Sequence, residues 1–198
     1  MKFTSKKRCT WFDNSRTKKI AVLVGSGSTT SISQLVANHL KNIAPASIQL
    51  NFVNIADLPL YDRDLDENSP AEYVRFRQEI AQADGFLFVT PEHNGGMSAM
   101  MKNAIDVGSR PMGQSLWPNK PAGIVSVAAG MSGGVRAADQ LRVVASGGFI
   151  NMPVAPFAAN VGGVFNGVLN EQGEIVSESV VGMLQGFINS YADFIAKF

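Results

Sequence analysis

The stretch Phe86-Leu87-Phe88-Val89-Thr90-Pro91-Glu92-His93-Asn94-Gly95-Gly96 decides the fold. A short apolar run stops at a proline, and a polar loop with two glycines follows. Met97-Ser98-Ala99-Met100-Met101-Lys102-Asn103-Ala104-Ile105-Asp106 then opens a helical pattern. A parallel strand buried on both faces reads as such a run, and it carries its loop to the carboxyl edge of an α/β sheet, where ligands bind. The same order occurs upstream. Ile20-Ala21-Val22-Leu23-Val24 runs into Gly25-Ser26-Gly27-Ser28-Thr29-Thr30-Ser31, and a helix with Ile32, Leu35, Val36, Leu40 and Ile43 on one face follows.

Working outward, apolar runs predict strands at 20–24, 47–53, 85–90, 121–128 and 149–155, with Pro153 marking the last as an edge. Helices are expected at 71–82, 98–108 and 135–146. A C-terminal helix carries the stripe Val180, Val181, Leu184, Phe187, Ile188, Tyr191, Phe194 and Ile195. Residues 57–70 and 110–118 read as loops, the second at the surface. The fourth strand ends in a third glycine-rich loop, Gly130-Met131-Ser132-Gly133-Gly134. Five β/α units with short loops argue for a doubly wound, five-stranded parallel sheet with helices on both faces.

The chain of 198 residues suits one domain, with 45% hydrophobic and 17% charged residues. Of its 17 basic and 16 acidic residues, seven and one lie in the first 19 positions. That leaves ten and fifteen, a body of charge −5 behind a basic leader. An acidic body disfavours nucleic acid as a partner. Residues 1–17 are expected to be a flexible basic extension and 18–198 the single domain. The leader has no apolar core of a secretory signal, and no later run is long enough to span a membrane. Cys9 is the single cysteine, so no intrachain disulfide forms, which fits the cytoplasm. His39 and His93 are far apart in sequence and show no metal-ligand spacing.

The first loop is a natural anion site. Its amides open a helix, whose dipole favours negative charge, and Ser26, Ser28, Thr29, Thr30, Ser31 and Ser33 offer hydroxyls. No Lys follows the glycines, so the loop is not a nucleotide-hydrolysing P-loop. Gly25-x-Gly27 lacks the third glycine of a dinucleotide fingerprint, and no acidic residue ends the second strand. One phosphate monoester fits better than a pyrophosphate; an ordinary serine-rich helix cap is the competing reading. A flat ring beside that phosphate would explain glycines in the other two loops, because backbone meets a ring edge only where side chains are absent.

These motifs resemble the NADPH-dependent FMN reductase family, flavodoxin-like proteins that include quinone, chromate and azo-dye reductases. The resemblance covers about residues 18–198. Pro91-Glu92-His93-Asn94-Gly95 with Lys102-Asn103-Ala104-Ile105-Asp106 is similar to the family's P-E-Y-N…L-K-N-A-I-D. Gly130 to Arg136 is similar to G-x-x-G-G-x-R, and the first loop matches G-S-x-R-x-x-S-x-N at Gly25, Ser26 and Ser31. The chain departs from these patterns with Ser28 for Arg, Ser33 for Asn, His93 for Tyr and Val107 for Trp. Losing a bidentate cation at position 28 weakens phosphate binding, although hydroxyls and amides alone hold the phosphate in flavodoxin-type sites.

The resemblance implies a bound FMN. Its phosphate would lie on Ser26, Ser28, Ser31, Ile32 and Ser33, and its ring would lie along Pro91, Glu92, His93, Asn94, Gly95, Ala128, Ala129 and Gly130. Hydride would pass from NADPH or NADH to the flavin and on to a quinone or similar small acceptor. His93 is the candidate catalytic residue, as a proton donor or, in the plainer reading, a ring packed on the wall. Asp106 is expected to pair with Lys102 at i, i+4, and Glu92 and His39 to be structural. Arg136 and Asp139 are expected to pair with each other or across a subunit interface. A homodimer or tetramer is expected, with contacts from Met97, Ala99, Met100, Met101 and Ala104 and from the Trp117 loop; burial in the domain's own core is the alternative. A flavodoxin-like electron carrier, or a flavin-free interaction protein on this fold, are the other readings.

Overall fold

The computed structural model describes residues 16–198. The order is β1 (Lys18–Val24), α1 (Ile32–Ile43), β2 (Ile48–Val53), a 3-10 turn (Arg63–Leu65), α2 (Ala71–Ala81), β3 (Gly85–His93) and β4 (Gly96–Met97). It continues with α3 (Ala99–Gly108), β5 (Ala122–Val127), α4 (Val135–Ser146), β6 (Ala159–Val161) and α5 (Glu178–Ile195). Five strands run parallel in the order β2-β1-β3-β5-β6, and β4 pairs antiparallel with β3. This is the expected doubly wound sheet, with the chain crossing over at β1 and β3.

Alternation along β1 divides the core. Ile20, Val22 and Val24 face Val36 and Leu40 of α1 and Leu184 and Ile188 of α5. Ala21 and Leu23 face the other layer, where α2, α3 and α4 contribute Phe76, Met101 and Leu141. Tyr191 of α5 is fully buried, and its hydroxyl donates to the Phe86 carbonyl of β3. Asn103 ties the loop after β2 onto α3: its Oδ1 accepts from the Tyr61 amide at 2.8 Å and its Nδ2 donates to the Pro59 carbonyl at 2.8 Å. Lys102 and Asp106 pair at 2.7 Å, as their spacing predicts.

Three local expectations change. First, the strand expected at 149–155 reduces to one bridge, Ala122 to Val154, and the ladder resumes at β6 opposite Val125. Three steps along β5 face five along this edge, and Pro156, which has no amide proton, stands in the interruption. Second, β3 does not stop at Pro91. It continues to His93 and turns back through Asn94 (φ 51°) and Gly95 (φ 78°) to pair His93 with Gly96. Asn-Gly suits a two-residue turn with both φ angles positive.

Third, Trp117 is not a surface aromatic. It is fully buried, edge-on to Phe86 at 4.8 Å, and its Nε1 donates to the Ile105 carbonyl at 2.9 Å. Any side chain at Gly108 would strike its ring. Met97, Met101 and Ala104 are buried in the same layer. These expected oligomer contacts are therefore core. Of the basic extension, Arg16 pairs with Asp84 at 2.6 Å and the Thr17 hydroxyl donates to the Ala46 carbonyl; residues 1–15 lie outside the described residues.

Burial pushes the Tyr191 phenol well above its ordinary value, and desolvation also raises Tyr61 and Tyr73. A phenol with a raised folded-state pKa stabilises the fold fully below the unfolded value of about 10 and loses that contribution as pH rises through the folded value. Stability should therefore fall steadily above about pH 10. Tyr191→Phe should lower the unfolding free energy at pH 7 by about 1–2 kcal/mol and flatten the alkaline decline. Urea unfolding at pH 7 and pH 10.5 checks both; an unchanged alkaline slope would contradict this account of Tyr191.

Candidate functional site

The carboxyl ends of β1, β3 and β5 converge on one cleft of about 290 Å³. The loop after β1 contributes Ser26, Ser28, Thr30, Ser31, Ile32 and Ser33. The β3 hairpin contributes Pro91, Glu92 and His93, and the end of β5 contributes Val127, Ala128 and Ala129. Ten of the thirteen sequence-selected positions thus share a wall. Asn94 and Gly95 stand outside it at the hairpin turn, and Gly130 lies one step beyond Ala129. A roomier hollow of about 430 Å³ lies beside edge strand β2, lined by Lys19, Gln49, Asn51 and Gln82. It reaches back to the start of β1 and gathers no loop from β3 or β5, so it lacks the converging loops of the first cleft.

The β1 loop is built for an anion. Gly25 donates its amide to the Val89 carbonyl at 2.8 Å, which pins the loop to β3. The Ser28 hydroxyl accepts from the Thr30 amide and lies 3.2 Å from the Thr30 hydroxyl. Ser31 caps α1, its Oγ accepting from the Gln34 amide at 3.1 Å, which leaves its O–H available to donate. The Ile32 and Ser33 amides precede any helical acceptor, and the helix dipole adds partial positive charge where they point. No lysine or arginine lines the cleft among the described residues.

The other wall is held by borrowed interactions. α4 starts at Gly134 (φ 82°), which has no side chain to cap it. Glu92 supplies the cap from β3: its Oε2 accepts from the amides of Arg136 at 3.1 Å and Ala137 at 3.3 Å. Gln140 of α4 grips the hairpin in return, its Oε1 accepting from the Met97 amide at 2.8 Å. Behind the loop, the buried Ser126 hydroxyl lies 2.7 Å from the Gly133 carbonyl and 2.8 Å from Asn160 Oδ1. A Cβ at Gly133 would stand 2.5 Å from the Asn160 carbonyl carbon, so only glycine lets the loop pass. Glu92 thus lines the cleft and is structural at once. His93 is exposed on the hairpin arm. Arg136 and Asp139 form no ion pair among the described residues. His39 Nε2 is buried without a partner there, away from the cleft lining.

Sequence reasoning missed Val164 and Phe165, which also line the cleft from the loop after β6. Their signal was weak, a Gly/Asn-rich stretch whose preceding strand was misplaced. Thr30 and Val127 also line the cleft, beyond the residues that the sequence assigns to the ligand.

Replacing Glu92 by Ala should strip α4 of its cap and lower the unfolding free energy by about 1–2 kcal/mol, while Glu92→Gln, which keeps an acceptor oxygen, should lose less. Urea unfolding of the three proteins decides this. Equal stability of Glu92→Ala and the parent would mean that the carboxylate does not hold α4.

Residues 18–164 match the model of NADPH-dependent FMN reductases. A quinone reductase of Pseudomonas putida is 40% identical over 183 residues, covering 91% of this chain and 96% of that protein. A 2-hydroxy-1,4-benzoquinone reductase of a Burkholderia species is 38% identical, covering 89% and 96%. Among solved structures, FerB, a flavoenzyme NAD(P)H:(acceptor) oxidoreductase from Paracoccus denitrificans, superposes with a TM-score of 0.82 at 29% identity, covering 91% of this chain and 98% of that one. The chain belongs to the NADPH-dependent FMN reductase family.

Proposed function

We propose that this chain is an FMN-dependent NAD(P)H oxidoreductase that reduces a quinone or similar small acceptor. The observation that carries the reading is the single cleft that joins a hydroxyl- and amide-rich helix N-terminus to two ring-bordering loops. Family membership and the identity to quinone reductases support the reductase over the electron-carrier and flavin-free readings.

The residues fit FMN. The Ser28 and Thr30 hydroxyls and the Ile32 and Ser33 amides suit one phosphate dianion, with the α1 dipole behind it. Ser26 and Ser31 complete that end of the wall. Pro91, His93, Ala128 and Ala129 form the sides on which a flat ring would rest, with Asn94, Gly95 and Gly130 at the rim. Bound FMN supplies a carrier that takes hydride from NAD(P)H and yields it to the acceptor. The protein orients the partners and keeps the two loops fixed through Glu92 and Gln140. The overall change is NAD(P)H, a proton and a quinone giving NAD(P)⁺ and a hydroquinone; one hydride and one proton reach the acceptor.

We assign His93 the supply of that proton, since it borders the cleft and histidine is the commonest general acid among side chains. We place the protein in the cytoplasm, where a chain with one cysteine loses nothing by lacking disulfides. Among the described residues no helix is long and apolar enough to cross a membrane. A homodimer or tetramer remains part of the proposal on the family resemblance alone, since Met97, Met101, Ala104 and Trp117, four of the contacts first expected for it, are buried within the domain.

Mass spectrometry of heat-released cofactor should find FMN, and the purified protein should oxidise NAD(P)H when given a para-quinone alone. FAD in its place, or no turnover without a partner protein, would overturn the reading. His93→Tyr should retain NAD(P)H oxidation in stopped flow yet slow acceptor reduction and change its pH profile, because a phenol of pKa about 10 is a much weaker acid than an imidazolium. If both half-reactions keep the parent pH profile, His93 is a wall and not a donor.

A further inference from the structure

The mouth of the cleft holds an aromatic ring that the fold does not use. Phe165 lines the cleft and is 77% exposed, and Met131, 81% exposed, stands beside its loop. A Cβ at Gly163 would lie 2.9 Å from the Met131 sulfur, so the sulfur is seated on the backbone two residues before Phe165. This exposure is not slack. Val164 and Val168 on either side are buried in the α1–α5 layer. The Gly163 amide donates to the Gly130 carbonyl at 3.2 Å, and the Asn166 amide donates to the Gly163 carbonyl at 2.7 Å. A Cβ at Gly162 would stand 2.5 Å from the Met131 carbonyl oxygen, so the two loops are laced backbone to backbone. The lacing holds the Phe165 and Met131 side chains out at the rim.

The chemistry around the mouth is lopsided. On the hairpin side the groups are polar: His93 and Asn94 are exposed and the Arg136 side chain lies beside Gly95 at the turn, while Glu92 Oε2 is taken by the α4 amides. On the opposite side Phe165 and Met131 offer apolar surface. A bare or hydroxylated benzoquinone would have no use for that side. A quinone with an alkyl side chain could place its carbonyl toward His93 and lay the chain on the ring and the thioether.

We infer that Phe165 and Met131 form an apolar acceptor subsite that selects quinones bearing an alkyl substituent over small polar ones. The inference rests on the proposed quinone reductase reading and names the substrate class of that site. Burial of even two methylenes is worth about tenfold in affinity, which is large enough to measure.

The test compares 2-methyl- and 2-hexyl-1,4-benzoquinone, whose rings carry one alkyl group each and so are electronically alike. At saturating NADPH the holoenzyme should show kcat/KM at least about tenfold higher for the hexyl compound, with the gain in KM. The ratio should fall toward one in Phe165→Ser/Met131→Ser. It should fall only in part in Phe165→Leu, which keeps an apolar side chain and guards against misfolding of the double variant. FMN content and turnover of the methyl compound by the parent report separately on the function itself; if the parent turns over neither quinone, both readings fall. Turnover with a hexyl-to-methyl ratio near one in the parent, or a ratio unmoved by the variants, overturns the subsite alone and gives the rim to another occupant, a second copy included.

Discussion

The N-terminus of α4 has no cap of its own, and much of the cleft is arranged around that lack. Gly134 is needed because the chain turns there with φ 82° and because a Cβ would press on Ser126 and Glu92. The unsatisfied amides that follow must find acceptors, since a helix end buried without them is costly. Glu92 provides one from the end of β3, which requires β3 to run past Pro91. That extension in turn requires the Asn94-Gly95 turn, and the returning arm meets Gln140 through the Met97 amide. One carboxylate therefore couples the lengths of a strand, a turn and a helix. It also keeps the two loops beside the proposed ring at a set distance.

This dependence explains what could be read in the sequence and what could not. The strands at β1, β3 and β5 were legible because burial on both faces leaves continuous apolar runs such as Phe86-Leu87-Phe88-Val89. All five helices were legible, α1 and α5 from their apolar stripes. The hairpin was not, because Pro91 reads as a stop and because Glu92 and His93 are polar. Their pairing is set by Gly96 and Met97 beyond the turn, although Asn-Gly was the signal to weigh. Trp117 was missed for a related reason. Its flanks are polar, but the pocket that receives it is made by Phe76, Phe86 and Gly108, distant in sequence. The fifth strand was misplaced because 149–155 is apolar enough to pair, while the ladder is decided by where β5 offers free partners beyond Pro156.

The absence of Arg at position 28 becomes intelligible in the same terms. Family-like loops with an arginine hold a phosphate by charge and a bidentate fork. In the site proposed here the donors are the Ser28 and Thr30 hydroxyls and the first amides of α1, with no cation among the lining residues. Such a site depends on position more than on charge. The Gly25 amide bond to Val89 and the Ser31 cap on α1 fix that position. Preorganised dipoles lose less to salt screening than an exposed ion pair does.

The cleft thus divides into a part that cannot vary and a part that can. Ser126, Gly133, Asn160 and Glu92 are bound to one another or to backbone, and a change at any of them disturbs the sheet edge or α4. Phe165 and Met131 project from backbone that these contacts already hold, with Val164 and Val168 carrying the packing. Their side chains can therefore change without altering the fold, because the buried valines and not the rim residues contribute the apolar burial. On the subsite proposed here, acceptor choice is set where the fold has no stake in the answer, while the loops proposed to border the flavin are the parts it holds most firmly.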